Sequence, residues 1–219
     1  MSEAEAVPGG RSAATVTRLI AERLLDSELA ALLWVLLDSD LPLVVSGPPA
    51  SGPAALSTAL QALVEQGGPR NGHAERQLWL LEEISLEDVF ERLAAPPAAL
   101  QADQLRGLGL VLILGTQEAL GSRLIAAHYV RPIERDGAGH LQRRPPALLA
   151  AWDREHDRLE HYYWAVTSEL AQRVGLALPD FEARRQRRAH LLDELVNSGM
   201  LTGEPLRRAV GELARSEPH

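Results

Sequence analysis

The 219-residue sequence predicts an α/β fold, and three observations carry that expectation. Two short apolar runs, "LPLVV" at 41–45 and "LGLVLILG" at 108–115, are the pattern of strands buried on both faces. Before and between them, apolar residues recur at helical spacing. Beyond residue 122 the pattern becomes partly alternating around an Asp-Gly turn, which predicts an antiparallel β-extension, and then turns into a helical tail. The chain accordingly divides into a flexible tail at 1–13, an α/β core with its β-extension at 14–165, and a C-terminal helical region at 166–219.

From Thr15 to Leu37 the apolar residues Val16, Leu19, Ile20 and Leu24, then Leu29, Leu32, Leu33 and Leu36, follow helical periodicity. Asp26-Ser27 breaks the run and offers an N-cap to a second helix. A strand at 41–45 runs into "SGPPASGPAAL", after which a helix is expected from Pro53 to Val64, proline being tolerated in a first turn. "EQGGPRNGH" at 65–73 is a connector by its turn residues. "LWLLEE" at 78–83 predicts a strand. Ser85 caps a helix through Leu93, with Asp88 at the capping-box position, and a short helix follows at 100–106. After the 108–115 strand, "SRLIAAHYVRPIER", "HLQRRPPALLAAWD" and "RLEHYYWAV" read as antiparallel strands, with "DGAG" at 136–139 turning one hairpin. Helices are expected at 168–174, 179–197 and 203–215, with Gly199 as a stop.

Composition excludes several chemistries. There is no cysteine, so disulfides, thiolate zinc sites and cysteine nucleophiles are ruled out. All 22 basic residues are arginine, so no lysine can contact a phosphate, form a Schiff base or act as a general base. A net charge of -8 gives no general attraction for nucleic acid or an anionic membrane. No apolar run is long enough to span a bilayer and no export signal is seen, so a cytoplasmic location without membrane insertion is expected.

Gly47 and Gly52 stand at the spacing of a phosphate-binding loop, between a strand and a helix as such a loop requires. The positions that should hold Lys and Ser or Thr are Pro53 and Ala54. Pro48, Pro49 and Pro53 also remove backbone donors from the cradle. On the residues alone an inert turn is the simpler reading.

The histidines (His73, His128, His140, His156, His161, His190 and His219) form no zinc-helix pair, and no metal is expected. Arg184, Arg185, Arg187 and Arg188 cluster on a helix whose apolar side would run through Phe181, Ala189, Leu192 and Val196. Most of these arginines should then face solvent or an acidic partner. "EHYYWAV", with Trp152 nearby, reads as aromatic strand-face core.

Several of these stretches together resemble the type II/IV secretion ATPases, above all the motors of archaeal flagella (the archaellum) and type IV pili. "LLDSELAALLWVLLDSDLPLVVSGPPASGPAALSTALQALV" is similar to that family's segment around its Walker A loop. "SLEDVFERLAAPPAALQADQLRGLGLVLIL" is similar to the part after its histidine box. "RLIAAHYVRPIERDGAGHLQRRPPALLAAWDREHDRLEH", with its Trp-Asp-x-x-x-Asp turn, resembles its C-terminal β-region, and "SELAQRVGLALPDFEARRQRRAHLLDELVNSGMLTGEPLRRAVGELA" its closing helices. The likeness runs in order over nearly the whole chain and implies a P-loop NTPase-like sheet of reduced size.

The departures fall on the chemistry. Pro53 and Ala54 replace the loop's lysine and hydroxyl, and only a short connector lies between Val64 and Leu78 where the family carries its acidic box and Walker B strand. "WLLEEIS" stands at the histidine-box position without a histidine, and the family's large N-terminal domain is absent. No catalytic residue carries over; Gly47, Ser51 and Gly52 remain as a vestigial phosphate loop with no cofactor implied. The expectation is a pseudo-ATPase acting as scaffold, adaptor or regulator of a secretion or motility apparatus. Its expected partners are a homologous motor ATPase, a membrane platform protein or further copies of itself. The alternative is a sensor that binds ATP or GTP without hydrolysis, with Arg70 or Arg76 supplying charge.

Overall fold

The computed structural model describes residues 14–66, 77–135, 140–142 and 144–217. His73, Arg70, Arg76 and His219, and the expected flexible tail at 1–13, lie outside them. Helices α1 (Val16–Ala21) and α2 (Ser27–Asp38) lead into β1 (Leu43–Ser46), and α3 (Pro53–Gln66) follows the glycine loop. Next come β2 (Leu78–Leu81), α4 (Leu86–Ala94), α5 (Ala102–Leu105), β3 (Leu110–Gln117) and β4 (Gly121–Tyr129). A two-stranded ribbon, β5 (Glu134–Arg135) with β6 (Leu141–Gln142), spans the expected Asp-Gly hairpin, whose turn residues are not among those described. Then β7 (Ala147–Asp153), β8 (Arg158–His161), α6 (Thr167–Arg173), α7 (Leu178–Asn197) and α8 (Glu204–Ser216) complete the chain.

The main sheet has the order β2-β1-β3-β4-β7-β8. Its first three strands are parallel, Leu43 lying level with Leu78 on one side and Leu110 on the other. The last three join as antiparallel hairpins, with register shifts between Ile113 and Leu114 and between Ala127 and His128. The chain moves one way along the sheet from β1 to β2, then back across β1 to β3. Right-handed crossovers running in opposite directions must lie on opposite faces, and these do. Leu56, Leu60 and Leu63 of α3 join the apolar cluster under one face, whereas Val89 and Leu93 of α4 join the other.

Side-chain alternation divides each strand between the two layers. Leu43 and Val45 of β1, and Leu110, Leu112 and Leu114 of β3, face the larger cluster; Val44, Val111 and Ile113 face the smaller. The larger layer is built around α2, buried all the way round from Leu29 to Leu37 between the sheet, α3 and α7. A helix apolar on every side has to be covered on every side. Here α7 finishes the cover, adding Phe181, Leu192 and Leu195, and α8 extends the same cluster over α3 and α7 with Leu206 and Val210.

The local signals act as the chemistry of their residues requires. The Asp26 carboxylate accepts from the Leu29 amide at 2.9 Å, and Ser85 Oγ accepts from the Asp88 amide at 3.1 Å. After α7, the amides of Gly199 and Met200 return to the carbonyls of Val196 and Leu195. The strand expected through "HYYWAV" stops at His161, and Tyr163–Val166 forms a 3-10 turn that carries the chain off the sheet into α6. That turn sends Tyr163 into the core and leaves Trp164 outside, 72% exposed, so only part of the aromatic stretch is core.

Candidate functional site

The glycine loop leaves β1 at the carboxyl ends of the parallel strands, the end at which α/β sheets place ligands. Ser46 Oγ donates to the Glu83 carbonyl at 2.6 Å and the Gly47 amide to the Leu81 carbonyl at 3.1 Å, so the loop is tied at once to the end of β2. Pro49–Ser51 makes one 3-10 turn. Ser51 turns both of its donors onto the Pro48 carbonyl, the amide at 2.8 Å and the hydroxyl at 2.7 Å. The Gly52 amide goes to Pro49 at 3.2 Å, and from the neighbouring hairpin Ser122 Oγ donates to Ala50 at 3.3 Å. Gly52, at φ 82°, turns the chain into α3, whose first residue is the buried Pro53.

This arrangement is the reverse of a phosphate cradle, in which amides point inward at an anion. The amides of Gly47, Ser51 and Gly52 all serve the protein itself, and Pro48, Pro49 and Pro53 have none to offer. The interior is also filled. A Cβ on Gly47, at φ 147°, would stand 2.5 Å from the Leu114 carbonyl oxygen and 2.9 Å from Ser51 Oγ. Glu82 and Glu83 follow β2 at the same end of the sheet, and Glu83 pairs with Arg92 at 3.6 Å. The residues present do not fit a magnesium nucleotide: the lysine and the metal-binding hydroxyl are missing, and the amides of Gly47, Ser51 and Gly52 are already bonded within the protein.

The arginine cluster of α7 lies differently from the solvent-facing expectation. The buried stripe of α7 runs Phe181, Arg185, Arg188, Leu192, Leu195, so two arginines occupy core positions at helical spacing, and of the four only Arg187 is exposed. Arg188 lies over the Trp34 ring at 4.3 Å and reaches Asp38 and Glu217, each at 2.6 Å. Arg184 stands 3.6 Å from Glu217. Arg185 lies 5.1 Å over the Tyr163 ring and 3.7 Å from Glu28. Aromatic rings and carboxylates on α2 and beyond make this burial possible, so the cluster fastens α7 to the core instead of presenting charge to a partner.

The histidines do not converge. His190 is exposed beside Glu194, and His156 caps a surface turn with Asp153 at 2.5 Å. His161 Nε2 meets Asp26 at 2.8 Å. Burial works against the charged form of His161, but the Asp26 carboxylate, with Glu28 behind it, outweighs this and raises its pKa above the usual imidazole value. Among the described residues no three acidic or histidine side chains gather as a metal site.

One constellation has no counterpart in the sequence reading. Arg123, buried on β4, donates through Nε and Nη2 to the two carboxylate oxygens of Asp157 at 2.7 and 3.0 Å, and Trp152 Nε1 donates to Asp157 at 3.1 Å. These bonds, chiefly that from Arg123, hold the Asp157 carboxyl far below the ordinary carboxylate range. The Trp-Asp-x-x-x-Asp turn is thereby explained. Asp153 caps it from within, accepting from the Glu155 amide at 2.9 Å, while Trp152 and Asp157 lock it to β4. The spacing of that turn was visible in the sequence; its arginine partner, 34 residues earlier, was not. No helix among the described residues is long and apolar enough to cross a membrane. No protein-family model matches the chain, and no curated protein matches it.

Proposed function

We propose that the protein is a catalytically inactive relative of the secretion and pilus motor ATPases, retained as a scaffold or adaptor through protein–protein contacts. The observation that carries this reading is the glycine loop. It joins a strand to a helix, the context the sequence resemblance requires, yet the amides of Gly47, Ser51 and Gly52 are all turned back into the protein. Phosphoryl transfer depends on positioning and charge neutralisation by lysine, Mg²⁺ and arginine donors. Here lysine and metal ligand are replaced by Pro53 and Ala54, while Gly47, Ser51 and Pro53 are buried against the protein. The sequence resemblance supports the family; the parallel β2-β1-β3 arrangement around the loop strand is compatible with a reduced P-loop sheet.

An interaction role is supported by apolar groups left outside. Leu80 on β2, at one end of the sheet, is 49% exposed, Ile84 just beyond it 67%, and Trp164 is exposed as well. Titration with Mg-ATP and Mg-GTP, each against an EDTA control, tests the inactive loop. No binding heat is expected at millimolar nucleotide. Magnesium-dependent binding at micromolar strength would overturn this reading in favour of a nucleotide sensor, and Gly52→Glu should then abolish it. Affinity capture from the native cell extract tests the scaffold: a motility, pilus or secretion component is expected. A monomer that captures none of them refutes it.

A further inference from the structure

We propose that the hollow between the α1–α2 corner and the β7–β8 hairpin is a binding site for a small organic anion, an apolar body carrying one carboxylate. It is a cavity of about 200 Å³, well separated in sequence from the glycine loop. An engineered cavity of roughly 150 Å³ in another protein holds benzene, so this one has room for a ring or short chain with a head group. Ile20, Leu24, Leu25 and Leu159 supply apolar wall, together with Trp152. The polar groups sit around them, the composition expected of a small-molecule site.

The charged groups there are not equivalent. Asp157 is occupied by Arg123 and Trp152, and Asp26 by the Leu29 amide and His161. Neither carboxylate is available to a cation. The two guanidiniums lining the cavity are held far more loosely. Arg23 reaches Asp157 only at 3.5 Å, and Arg158 reaches Asp153 and Glu160 only at 3.8 Å. Their side chains are largely exposed, and their planar forks match a carboxylate. The lining thus carries two guanidiniums and two carboxylates, and with the carboxylates engaged by Arg123, Trp152, Leu29 and His161 the guanidiniums are its exchangeable charges.

Backbone geometry fixes where these groups stand. Arg23, just past the end of α1, and Asp157, in the β7–β8 turn, both have left-handed backbones, at φ 60° and 47°. Neither is glycine, so each conformation costs of order 1 kcal/mol or more and persists because its surroundings impose it. On the Arg23 side the surroundings are explicit: the Leu24 amide bonds Leu19, and the Leu24 carbonyl accepts from the Leu124 amide of β4 at 2.9 Å. These bonds hold Arg23 on the rim of the cavity.

The test compares benzoate, benzyl alcohol and benzylamine, three probes of one shape and different charge. Thermal unfolding should show a saturable rise with benzoate, roughly 5 °C or more at hundredfold excess over Kd, and a response at least about tenfold weaker for the other two. In a ¹⁵N correlation spectrum the Trp152 indole signal, assigned through Trp152→Phe, should move with benzoate. The double variant Arg23→Gln/Arg158→Gln should lose at least tenfold in affinity. Absence of a saturable benzoate response overturns the proposal. So does an equal response to benzyl alcohol, which would make the cavity merely apolar, or a Trp152 signal that stays still while the melting point rises.

Discussion

Arg188 carries its charge into the core, and its partners decide whether that is tolerable. It is 2% exposed and lies against Trp34, Asp38 and Glu217. Burial pushes the Asp38 carboxyl above its usual pKa even though Arg188 pulls the other way, so the site is costly to desolvate and depends on its pairing. Arg188→Met should therefore destabilise the protein by about 3–5 kcal/mol in urea unfolding, because two carboxylates are stranded. Neutralising them as well, with Asp38→Asn and Glu217→Gln, should recover most of that loss. A single variant as stable as the parent would mean the cluster is not paired in solution. His161 offers a test of sign. Its pKa is raised in the folded state, so its contribution is full below the ordinary imidazole value and disappears as pH rises through the folded value. The stability advantage of the parent over His161→Gln should thus shrink as pH rises from about 6.5 through the raised folded value, and should no longer fall with pH in an Asp26→Asn background, where burial is left as the largest influence. At this scale the sequence was least legible. Arg185 and Arg188 occupy the heptad positions of a buried stripe, but a pattern reading counts arginine as polar. The rings of Tyr163 and Trp34 and the carboxylates of Glu28, Asp38 and Glu217, brought up from distant segments, make those positions interior.

Whole elements were far easier to read, because their signals are local. The apolar runs at 41–45 and 108–115, the Asp26 and Ser85 caps and the stop at Gly199 each depend on neighbours a few residues away, and each appears in the structure. Strand order is different in kind: that β1 lies between β2 and β3 is settled by which faces the crossover helices cover, a long-range matter. The glycine loop falls between the two cases. Its spacing could be read, and so could the loss of lysine and hydroxyl; the inward turn of its remaining amides could not, since Leu81, Leu114 and Ser122 lie on other strands or loops. That packing yields a prediction about the element. Gly47→Ala should lower stability by about 2–4 kcal/mol, since its Cβ meets the Leu114 carbonyl oxygen at 2.5 Å in a left-handed conformation. Gly52→Ala meets open space, its nearest contact being Ala55 Cβ at 3.9 Å, and should cost only the strain of its φ, about 1 kcal/mol. If the loop instead opens to hold phosphate, the interior is vacant and the two substitutions should cost about the same.

At the scale of the molecule, one apolar cluster runs from α1 through α2, α3 and the sheet into α7 and α8. Both ends of the described chain are tied to the C-terminal helical region as well. Thr15 and Thr17 both donate from their hydroxyls to the Leu201 carbonyl, Thr17 at 2.8 Å, and Glu217 closes on Arg188. The change from mixed strands to helices near residue 166 is thus a change of element type across a shared core, because α2 is apolar on all sides and needs α7 to cover it. Calorimetry should therefore give a single transition whose van't Hoff and calorimetric enthalpies agree. A chain ending at Gly199 loses Leu206 and Val210 from the cluster, and with Glu217 one of the two carboxylates on Arg188. It should lose cooperative unfolding, binding a hydrophobic dye while keeping much of its far-UV signal. A truncated chain that melts as sharply as the parent, within a degree or two, would show that α8 is an appendage and that the core ends with α7. Supplying residues 200–219 as a separate peptide distinguishes a lost core element from a merely shortened chain. If α8 is part of the core, the peptide should bind the truncated protein and restore its sharp transition in proportion to the fraction bound.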